Sequence, residues 1–239
     1  CHGMASPHPT LPLTKFFFFP GFTVKTGGLL REAHLLPDRD RYQHSLPARD
    51  HLEIGLFCYD TAPVGGLLAA LATTVQPSLV HVPRGKPLAA VMQYLPGNGP
   101  WQHGNARIEP IPFMPQDDYD RLLWRCDINF IRGEDSFVRA QWAAKPFVWQ
   151  IYQQEEEAHL VKLSAFLDRY CAAMGDTLAH VIREMFVAWN GGEPDVACAF
   201  QHFVDNRQAV AEANHAWCDD LASQDDLATT LVNFCASKV

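Results

Sequence analysis

Short apolar segments alternate with helix-like segments between residues 51 and 152, and this alternation limits the fold more than any other feature of the sequence. Strands joined by helices of about ten residues form βαβ units, whose crossovers are right-handed and whose sheet is mainly parallel. The sequence therefore predicts an α/β fold with a Rossmann-like layer. Prolines in the third strand, at Pro110 and Pro112, are typical of an edge position. The segments that read as strands are 51–59, 78–82, 106–113, 127–132 and 146–152.

The residues before 51 and after 152 do not continue this alternation of strands and helices. Residues 16–19 are four phenylalanines before Pro-Gly, which predicts a buried strand, and residues 26–32 predict a Gly-rich turn followed by a short helix. Residues 38–41 read as a charged loop. After residue 154 apolar side chains recur at helical spacing, and two more helices are expected over 194–239.

The composition excludes several classes of protein. The chain has 239 residues, 48% of them hydrophobic and 11% aromatic, which is enough apolar surface for a folded core. Its 19 Lys and Arg against 27 Asp and Glu give a formal charge of −8 without a basic run, which argues against nucleic acid as a partner. No segment has the roughly 18 consecutive apolar residues of a membrane span, so no membrane partner is expected.

The cysteines and histidines indicate free thiols rather than a metal centre. Seven cysteines lie between Cys1 and Cys235 without a Cys-x-x-Cys pair, and 11 histidines form no His-Glu-x-x-His motif. We therefore expect reduced thiols, a cytoplasmic location and no metal. Because the first residue is cysteine instead of methionine, we also expect that the chain is either processed or, more simply, a fragment whose N-terminal part is missing.

The turn at 132–136 is the most specific local feature, because a strand, a glycine and a helix start follow one another there. The first N–H groups of a helix have no internal acceptor and carry partial positive charge, and Arg132 adds a planar cation that fits phosphate oxygens. With the Ser136 hydroxyl, this predicts a diphosphate site. Alternatively, Glu134 and Asp135 serve only to cap the helix and complement its dipole.

Aromatic residues cluster where strands end, which predicts a pocket for a flat base. Phe57 and Tyr59 follow the first strand, and Phe113 and Tyr119 flank Gln116 after the third. Aromatic faces sandwich a base, and an amide reads its hydrogen-bonding edge. Ordinary core packing is the alternative for Phe57 and Phe113.

Two other motifs carry little weight. The Asp118-x-Asp120 pair matches a metal-binding pattern of some sugar transferases, but it stands at a helix start, where aspartate is common. No Gly-x-Gly-x-x-Gly or Walker sequence occurs, so neither NAD nor ATP is indicated.

Over nearly its whole length the chain resembles the EarP family, the protein-arginine rhamnosyltransferases that modify bacterial elongation factor P. The resemblance implies a GT-B glycosyltransferase that transfers L-rhamnose with inversion from dTDP-β-L-rhamnose to one arginine of that factor, without a metal or other cofactor. The segments that carry it are 18–23, 26–32, 56–59, 119–124, 132–142 and 145–152.

The resemblance also assigns roles along the chain. It implies a donor site in which Phe57, Tyr59 and Phe113 hold the thymine, with Gln116 and Tyr119 nearby, and in which Arg132, Glu134, Asp135 and Ser136 contact diphosphate and sugar. Tyr119 departs from the family, which often has phenylalanine there. The implied division is an interdomain segment at 1–50, a nucleotide-sugar-binding domain at 51–205 and C-terminal helices at 206–239.

The resemblance implies a second Rossmann-like domain before the Phe-Pro-Gly segment, and this domain carries the aspartate proposed as general base. The sequence does not contain that domain. The catalytic residue is therefore unknown, and residues 1–239 alone are expected to be inactive because a guanidinium keeps its proton up to about pH 12. Two alternatives remain: a non-catalytic nucleotide-sugar-binding fragment, and a GT-B transferase with another donor and acceptor.

Overall fold

The computed structural model describes residues 2–154 and 158–238 and contains a six-stranded sheet beside a separate two-stranded ribbon. The ribbon pairs β1 with β2, and the sheet contains the other six strands. The strands in chain order are β1 (Ala5–Pro7), β2 (Thr14–Phe16), β3 (Leu52–Leu56), β4 (Ser78–Pro83), β5 (Trp101–His103), β6 (Ala106–Ile111), β7 (Ile128–Arg132) and β8 (Phe147–Gln150).

The helices cover both faces of the sheet. One contacting group contains α1, α4 and α5, and another contains α2, α7 and α8; right-handed crossovers place the two groups on opposite faces. Within the described residues the helices are α1 (Leu35–Ser45), α2 (Val64–Thr73), α3 (Lys86–Met92), α4 (Gln116–Arg125), α5 (Asp135–Ala143), α6 (Ala158–Tyr170), α7 (Asp176–Trp189), α8 (Val196–Asp205), α9 (Arg207–Ala222) and α10 (Leu227–Ala236).

The strand order β5-β6-β4-β3-β7-β8 confirms the predicted α/β class. All neighbouring pairs are parallel except β5 with β6. The chain starts in the middle at β3, builds outward through β4 and β6, and then crosses back to β7 on the other side of β3. The connections after β3 and β7 therefore run in opposite directions, and this switch point is where such sheets bind ligands.

The central strands are buried on both faces, as parallel strands between helix layers must be. Every residue of β3 is buried, and so are the first four residues of β7. Arg132, the last residue of β7, is only half-buried because it emerges at the carboxyl edge of the sheet. The guanidinium of Arg132 therefore lies at the switch point of the sheet.

The first 50 residues correct the sequence prediction. Residues 16–19 are not a buried strand, because β2 ends at Phe16 and pairs only with β1, and the ribbon is covered only in part, where Phe234 of α10 contacts the rings of Phe16 and Phe18. The side chains of Phe16, Phe17 and Phe19 remain 39–44% exposed. The predicted helix begins only at Leu35 and includes residues 38–41, which are therefore not a loop.

Two further elements differ from the prediction. Three helices, α8 to α10, occupy the part of the chain for which two are predicted. Strand β5 has no predicted counterpart. It pairs with residues 106–108 of β6, so β6 is an edge strand, as predicted, only in its second half, which contains Pro110. The division at 50 and 205 stays a prediction, although α8 does end at Asp205.

The cysteines of the described ranges carry free thiols, and burial raises the pKa of the Cys58 thiol to about 12. None of the described helices combines the length and apolar character needed to cross a bilayer.

Candidate functional site

A cavity of about 490 Å³ opens at the carboxyl edge of the sheet, beside the switch point between β3 and β7. Its wall comes from the ends of β4 and β7, from the segments after β3 and β6, and from the first turns of α4 and α5. This size is typical of sites for small organic ligands. The lining residues are Phe57, Pro83, Pro112, Phe113, Met114, Pro115, Gln116, Tyr119, Arg132, Gly133, Glu134, Asp135 and Ser136.

The turn between β7 and α5 is built around Gly133. Its φ of +72° lies in the left-handed region, which glycine adopts without strain. The indole of Trp149 donates a hydrogen bond of 3.1 Å to the Gly133 carbonyl and holds the turn from β8. The chain then enters α5 at Asp135, so the free N–H groups of its first turn lie at the cavity.

Two aromatic rings hold the guanidinium of Arg132. Its central carbon lies 4.4 Å from the ring centre of Phe57 and 4.7 Å from that of Tyr59. Such cation–π contacts fix the orientation of a cation without neutralising it. Within residues 2–154 and 158–238, Arg132 has no carboxylate partner, and its buried Nε atom donates no hydrogen bond. An oriented cation without a partner is the group expected at an anion site.

The carboxylates of Glu134 and Asp135 are exposed at the same turn. Glu134 is the N-cap residue of α5 but makes no capping hydrogen bond with its side chain, whereas both residues still stand where a carboxylate complements the helix dipole. In the described part of the chain neither carboxylate forms a salt bridge, and neither orders Arg132. Both remain available to accept hydrogen bonds from ligand hydroxyls.

The other end of the cavity is mainly aromatic. Phe113 is 82% exposed, and the ring of Phe57 meets that of Tyr119 edge-on at 5.6 Å. The Tyr119 hydroxyl is buried near Ser136 without a well-formed hydrogen bond, and burial raises the pKa of this phenol. For Phe113 the exposure argues against core packing, because a core side chain would not leave its ring in solvent.

Tyr59 is the one predicted site residue that does not line the cavity. Its ring packs against Arg132 and, edge-on at 5.7 Å, against Tyr152, and its backbone N–H donates to the Gln150 side chain. A Cβ added at Gly133 would lie 3.8 Å from the Tyr59 hydroxyl, so the phenol reaches the turn. The structure thus places Tyr59 with the predicted anion site rather than in the predicted base pocket.

Sequence reasoning missed a network behind Gln116. The buried carboxylate of Asp120 accepts from Gln116 Nε2 at 3.1 Å and from Arg139 Nε at 2.8 Å, and Arg139 also donates to Glu32 at 2.6 Å. Although burial alone would lower the pKa of Arg139, these hydrogen bonds raise it, so the guanidinium stays charged. Only the spacing of Gln116 and Asp120 by four residues on one helix face hints at this network in the sequence.

A larger cavity of about 670 Å³ lies between α1, α4 and α5, and most of its charged side chains are already paired, although Asp117 has no ion-pair partner among the described residues. Arg41 contacts Asp38, and Arg139 contacts Asp120. The Asp118-x-Asp120 motif is divided, because Asp118 binds Arg121 at 3.0 Å while Asp120 is buried against Arg139. This larger cavity is therefore the weaker candidate.

The described residues contain two clusters with metal-ligating side chains, and neither lines the cavity. In the first, Glu53 lies with His81 and Cys126, but its carboxylate already binds Arg125 and Arg49, which would repel a cation. The second consists of Glu184, Cys198 and His202, where a Glu184–His202 contact of 2.9 Å accounts for the grouping.

Comparison with known proteins gives one consistent result. A family model described as the elongation factor P rhamnosyltransferase EarP matches residues 1–236. The chain is 44% identical over 253 residues to a protein-arginine rhamnosyltransferase of Pseudomonas putida, and 43% identical over 254 residues to that of Pseudomonas aeruginosa. These matches cover 98% and 99% of the chain but 66% and 67% of the relatives, so the chain spans about two thirds of their length.

A solved structure is also similar. It comes from work on the structural basis for EarP-mediated arginine glycosylation of translation elongation factor EF-P, and it superposes with a TM-score of 0.82 at 38% identity. The superposition covers 93% of the chain and 76% of that structure.

Proposed function

The chain belongs to the EarP family of elongation factor P rhamnosyltransferases, and on that premise we propose that it binds dTDP-β-L-rhamnose for transfer of rhamnose, with inversion, to an arginine of elongation factor P. It would supply the donor-binding domain of a GT-B glycosyltransferase. An acceptor that works in translation would place the reaction in the cytoplasm.

The observation that carries this proposal is the turn after β7. There a cation oriented by two aromatic rings meets the N-terminus of α5 and two carboxylates that form no salt bridge with any described residue, all at the switch point of the sheet. A nucleoside diphosphate sugar has the matching parts, because its diphosphate needs positive charge and its sugar offers hydroxyl donors.

The cavity suggests how the donor lies. The thymine would stack between Phe57 and Phe113 with its edge toward Gln116, close to the ring of Tyr119. The diphosphate would meet Arg132, Ser136 and the first N–H groups of α5, with the Tyr59 phenol beside the turn. The sugar hydroxyls would then reach Glu134 and Asp135, whose carboxylates only accept hydrogen bonds.

Binding lowers the reaction barrier only where the interactions strengthen in the transition state. As the bond from the sugar to the diphosphate breaks, negative charge grows on the leaving phosphate, and Arg132 and the α5 N-terminus are already oriented to stabilise it. We propose that this charge stabilisation replaces a metal in the reaction.

Attack by the acceptor also needs a base. A guanidinium keeps its proton up to about pH 12, so a carboxylate must accept that proton as the guanidinium nitrogen attacks the anomeric carbon. We propose that this base lies outside residues 1–239, and that Glu134 and Asp135 hold the sugar instead. The polypeptide 1–239 would then bind donor without catalysing transfer at the rate of a full-length relative.

Calorimetry of the polypeptide with dTDP, dTDP-rhamnose and uridine diphosphate sugars tests the donor. We expect the thymidine compounds to bind and the uridine compounds to bind poorly. Equal binding of all of them would favour a transferase with another donor, and no binding would overturn the proposal.

Mass spectrometry of elongation factor P after incubation with dTDP-rhamnose and the polypeptide tests the base. We expect no added deoxyhexose on arginine at a rate near that of a full-length relative. If the mass does appear at that rate, the base lies within these residues, and Asp135→Ala and Glu134→Ala identify it.

A further inference from the structure

A chain of hydrogen bonds runs from the segment before α1 to the wall of the 490 Å³ cavity, in which the nucleotide sugar is proposed to bind. Glu32 accepts from Arg139 Nη1 at 2.6 Å, and Arg139 binds both oxygens of Asp120 through Nε and Nη2. Asp120 in turn accepts from Gln116 Nε2 at 3.1 Å. Asp120 is 3% exposed and Arg139 is 8% exposed, whereas Gln116 lies at the surface in the first turn of α4.

This arrangement fixes which way round the Gln116 amide lies. A carboxylate has only acceptor oxygens, so the Asp120 contact requires the amide nitrogen of Gln116 and excludes its oxygen. The bidentate Arg139 contact keeps the Asp120 carboxylate from rotating away. Gln116 Oε1 is then the free end of the amide, and no donor among residues 2–154 and 158–238 reaches it.

The free oxygen has a consequence for base recognition. Thymine and uracil carry an N–H donor at ring position 3, between two carbonyls, whereas cytosine has a bare acceptor nitrogen at that position. An oxygen opposite position 3 accepts from the imide N–H and faces the cytosine nitrogen as a second acceptor. A site that leaves polar groups unpaired against the wrong ligand discriminates strongly against that ligand.

We propose that Asp120, held by Arg139 and Glu32, is a positioning residue that turns Gln116 into an obligate acceptor, so that the cavity selects imide bases over cytosine. This inference rests on the proposed donor function, because it needs a nucleotide base beside Gln116. It adds to that function the origin of a preference for imide bases over cytosine, set by Asp120, which does not touch the ligand. It does not separate thymine from uracil, so the weaker binding expected of uridine diphosphate sugars has to come from the ribose 2′-hydroxyl, which dUDP lacks.

The test compares the binding of dTDP, dUDP and dCDP, which share the deoxyribose and the diphosphate. For the unmodified chain we expect dTDP to bind about ten- to hundredfold more tightly than dCDP, with dUDP much closer to dTDP. Binding of dTDP without preference over dCDP would overturn this inference alone. Absence of any dTDP binding would overturn the proposed function.

Asp120→Asn is the decisive variant. Asparagine offers Gln116 both a donor and an acceptor, so both amide orientations become accessible and the dTDP/dCDP preference should fall several-fold. Arg139→Lys is the matched control, since it loosens Asp120 but keeps its carboxylate; there both affinities should fall together with the preference retained. A purely structural role for Asp120 predicts a retained preference in both variants, and that result would overturn the inference.

Gln116→Leu keeps the inference testable if Asp120→Asn does not fold. Gln116 is exposed at the start of α4, so this variant should fold normally while it removes the acceptor oxygen. The preference for dTDP over dCDP should then disappear. An unchanged preference in Gln116→Leu would overturn the inference without any other measurement.

Discussion

The two edges of the parallel sheet both carry charged groups, but a buried charge is neutralised at the amino edge, whereas the carboxyl edge leaves charges of its cavity unpaired. There Glu53 of β3 is fully buried, its Oε1 accepts from Arg125 at 2.6 Å, and its Oε2 lies 2.9 Å from Arg49 Nη1. At the carboxyl edge, Arg132 and Asp135 have no partner of opposite charge within the described ranges. The buried charge at the amino edge is thus compensated within the protein, whereas the charges of Arg132 and Asp135 remain free to contact a ligand.

The difference separates a structural charge cluster from a binding one. Burial alone would raise the pKa of Glu53, but hydrogen bonds from Arg125 and His81 and the charge of Arg49 hold it well below its usual range. Pairing therefore makes Glu53 an integral part of the folded state, and its loss should affect stability. Arg132 is oriented by rings instead of a carboxylate, and its loss should affect binding.

The largest effect is expected for Glu53→Ala. Removal of the buried carboxylate takes away the ion-pair partner of Arg125 and leaves Arg49, whose side chain is 16% exposed, with Asp127 alone. The free energy of unfolding should fall by about 3–5 kcal/mol, while dTDP affinity of the folded protein stays the same. Urea unfolding and calorimetry measure the two quantities. Glu109→Ala, which breaks an exposed pair with Arg107, is the control and should cost less than about 1 kcal/mol.

A smaller effect is expected for Arg132→Ala and Asp135→Ala, and it should appear in binding. Loss of one charge-assisted hydrogen bond weakens dTDP-rhamnose binding by about 1.5–3 kcal/mol, roughly ten- to hundredfold. Thermal unfolding should change little, since neither residue has a salt-bridge partner in the described ranges to lose. Arg183→Ala, on the surface of α7, is the control. Unchanged affinity in both site variants would remove these residues from the site.

Tyr59→Ala should weaken dTDP binding by about 1 kcal/mol, close to fivefold, because Arg132 loses one of the two rings that orient it. Tyr59→Phe keeps the ring and should retain most of the affinity. The melting temperature measures any structural contribution. If stability and affinity fall in parallel in Tyr59→Ala, the ring belongs to the core rather than to the site.

The smallest effect concerns acid. The pKa of Glu53 is lower in the folded than in the unfolded protein, so its stabilisation is present above the unfolded pKa of about 4.3 and is lost as the pH falls below it. Between pH 6 and pH 4 this residue should account for about 0.6 kcal/mol of lost stability. Glu53→Gln, unfolded in urea at both values, should show a correspondingly shallower pH dependence. An identical dependence in both proteins would contradict the assigned pairing.

Local patterns were sufficient for the central sheet and for the turn that follows β7. Apolar runs bounded by turn residues identified the five parallel strands, because strands between two helix layers must be apolar throughout. The Gly133 turn was equally readable, since a strand, a glycine and a helix start in succession specify a local geometry. Eight of the nine predicted site residues line one cavity for the same reason: parallel strands all end at one edge.

The same reasoning failed where the outcome depended on distant neighbours. Four phenylalanines in succession suggest burial, yet residues 16 to 19 lie in and after a ribbon outside the main sheet, where the contacts with Phe234 of α10 leave three of the four more than a third exposed. The short strand β5 exists only because β6 provides a partner. Tyr59 follows β3 as predicted, but its ring packs against the guanidinium of Arg132 instead of lining the predicted base pocket.

The sequence by itself determined the order of the five parallel strands and of the helices between them, the class of the fold and the strand–glycine–helix turn at 132–136, because periodicity and backbone conformation are local properties. Only the tertiary structure decided which charges are paired. Glu32 and Arg139 are 107 positions apart, and Arg139 and Asp120 are 19 apart, so no local pattern relates them. They meet because α4, α5 and the segment that precedes α1 pack together on one face of the sheet. A charge that is buried there must find a partner.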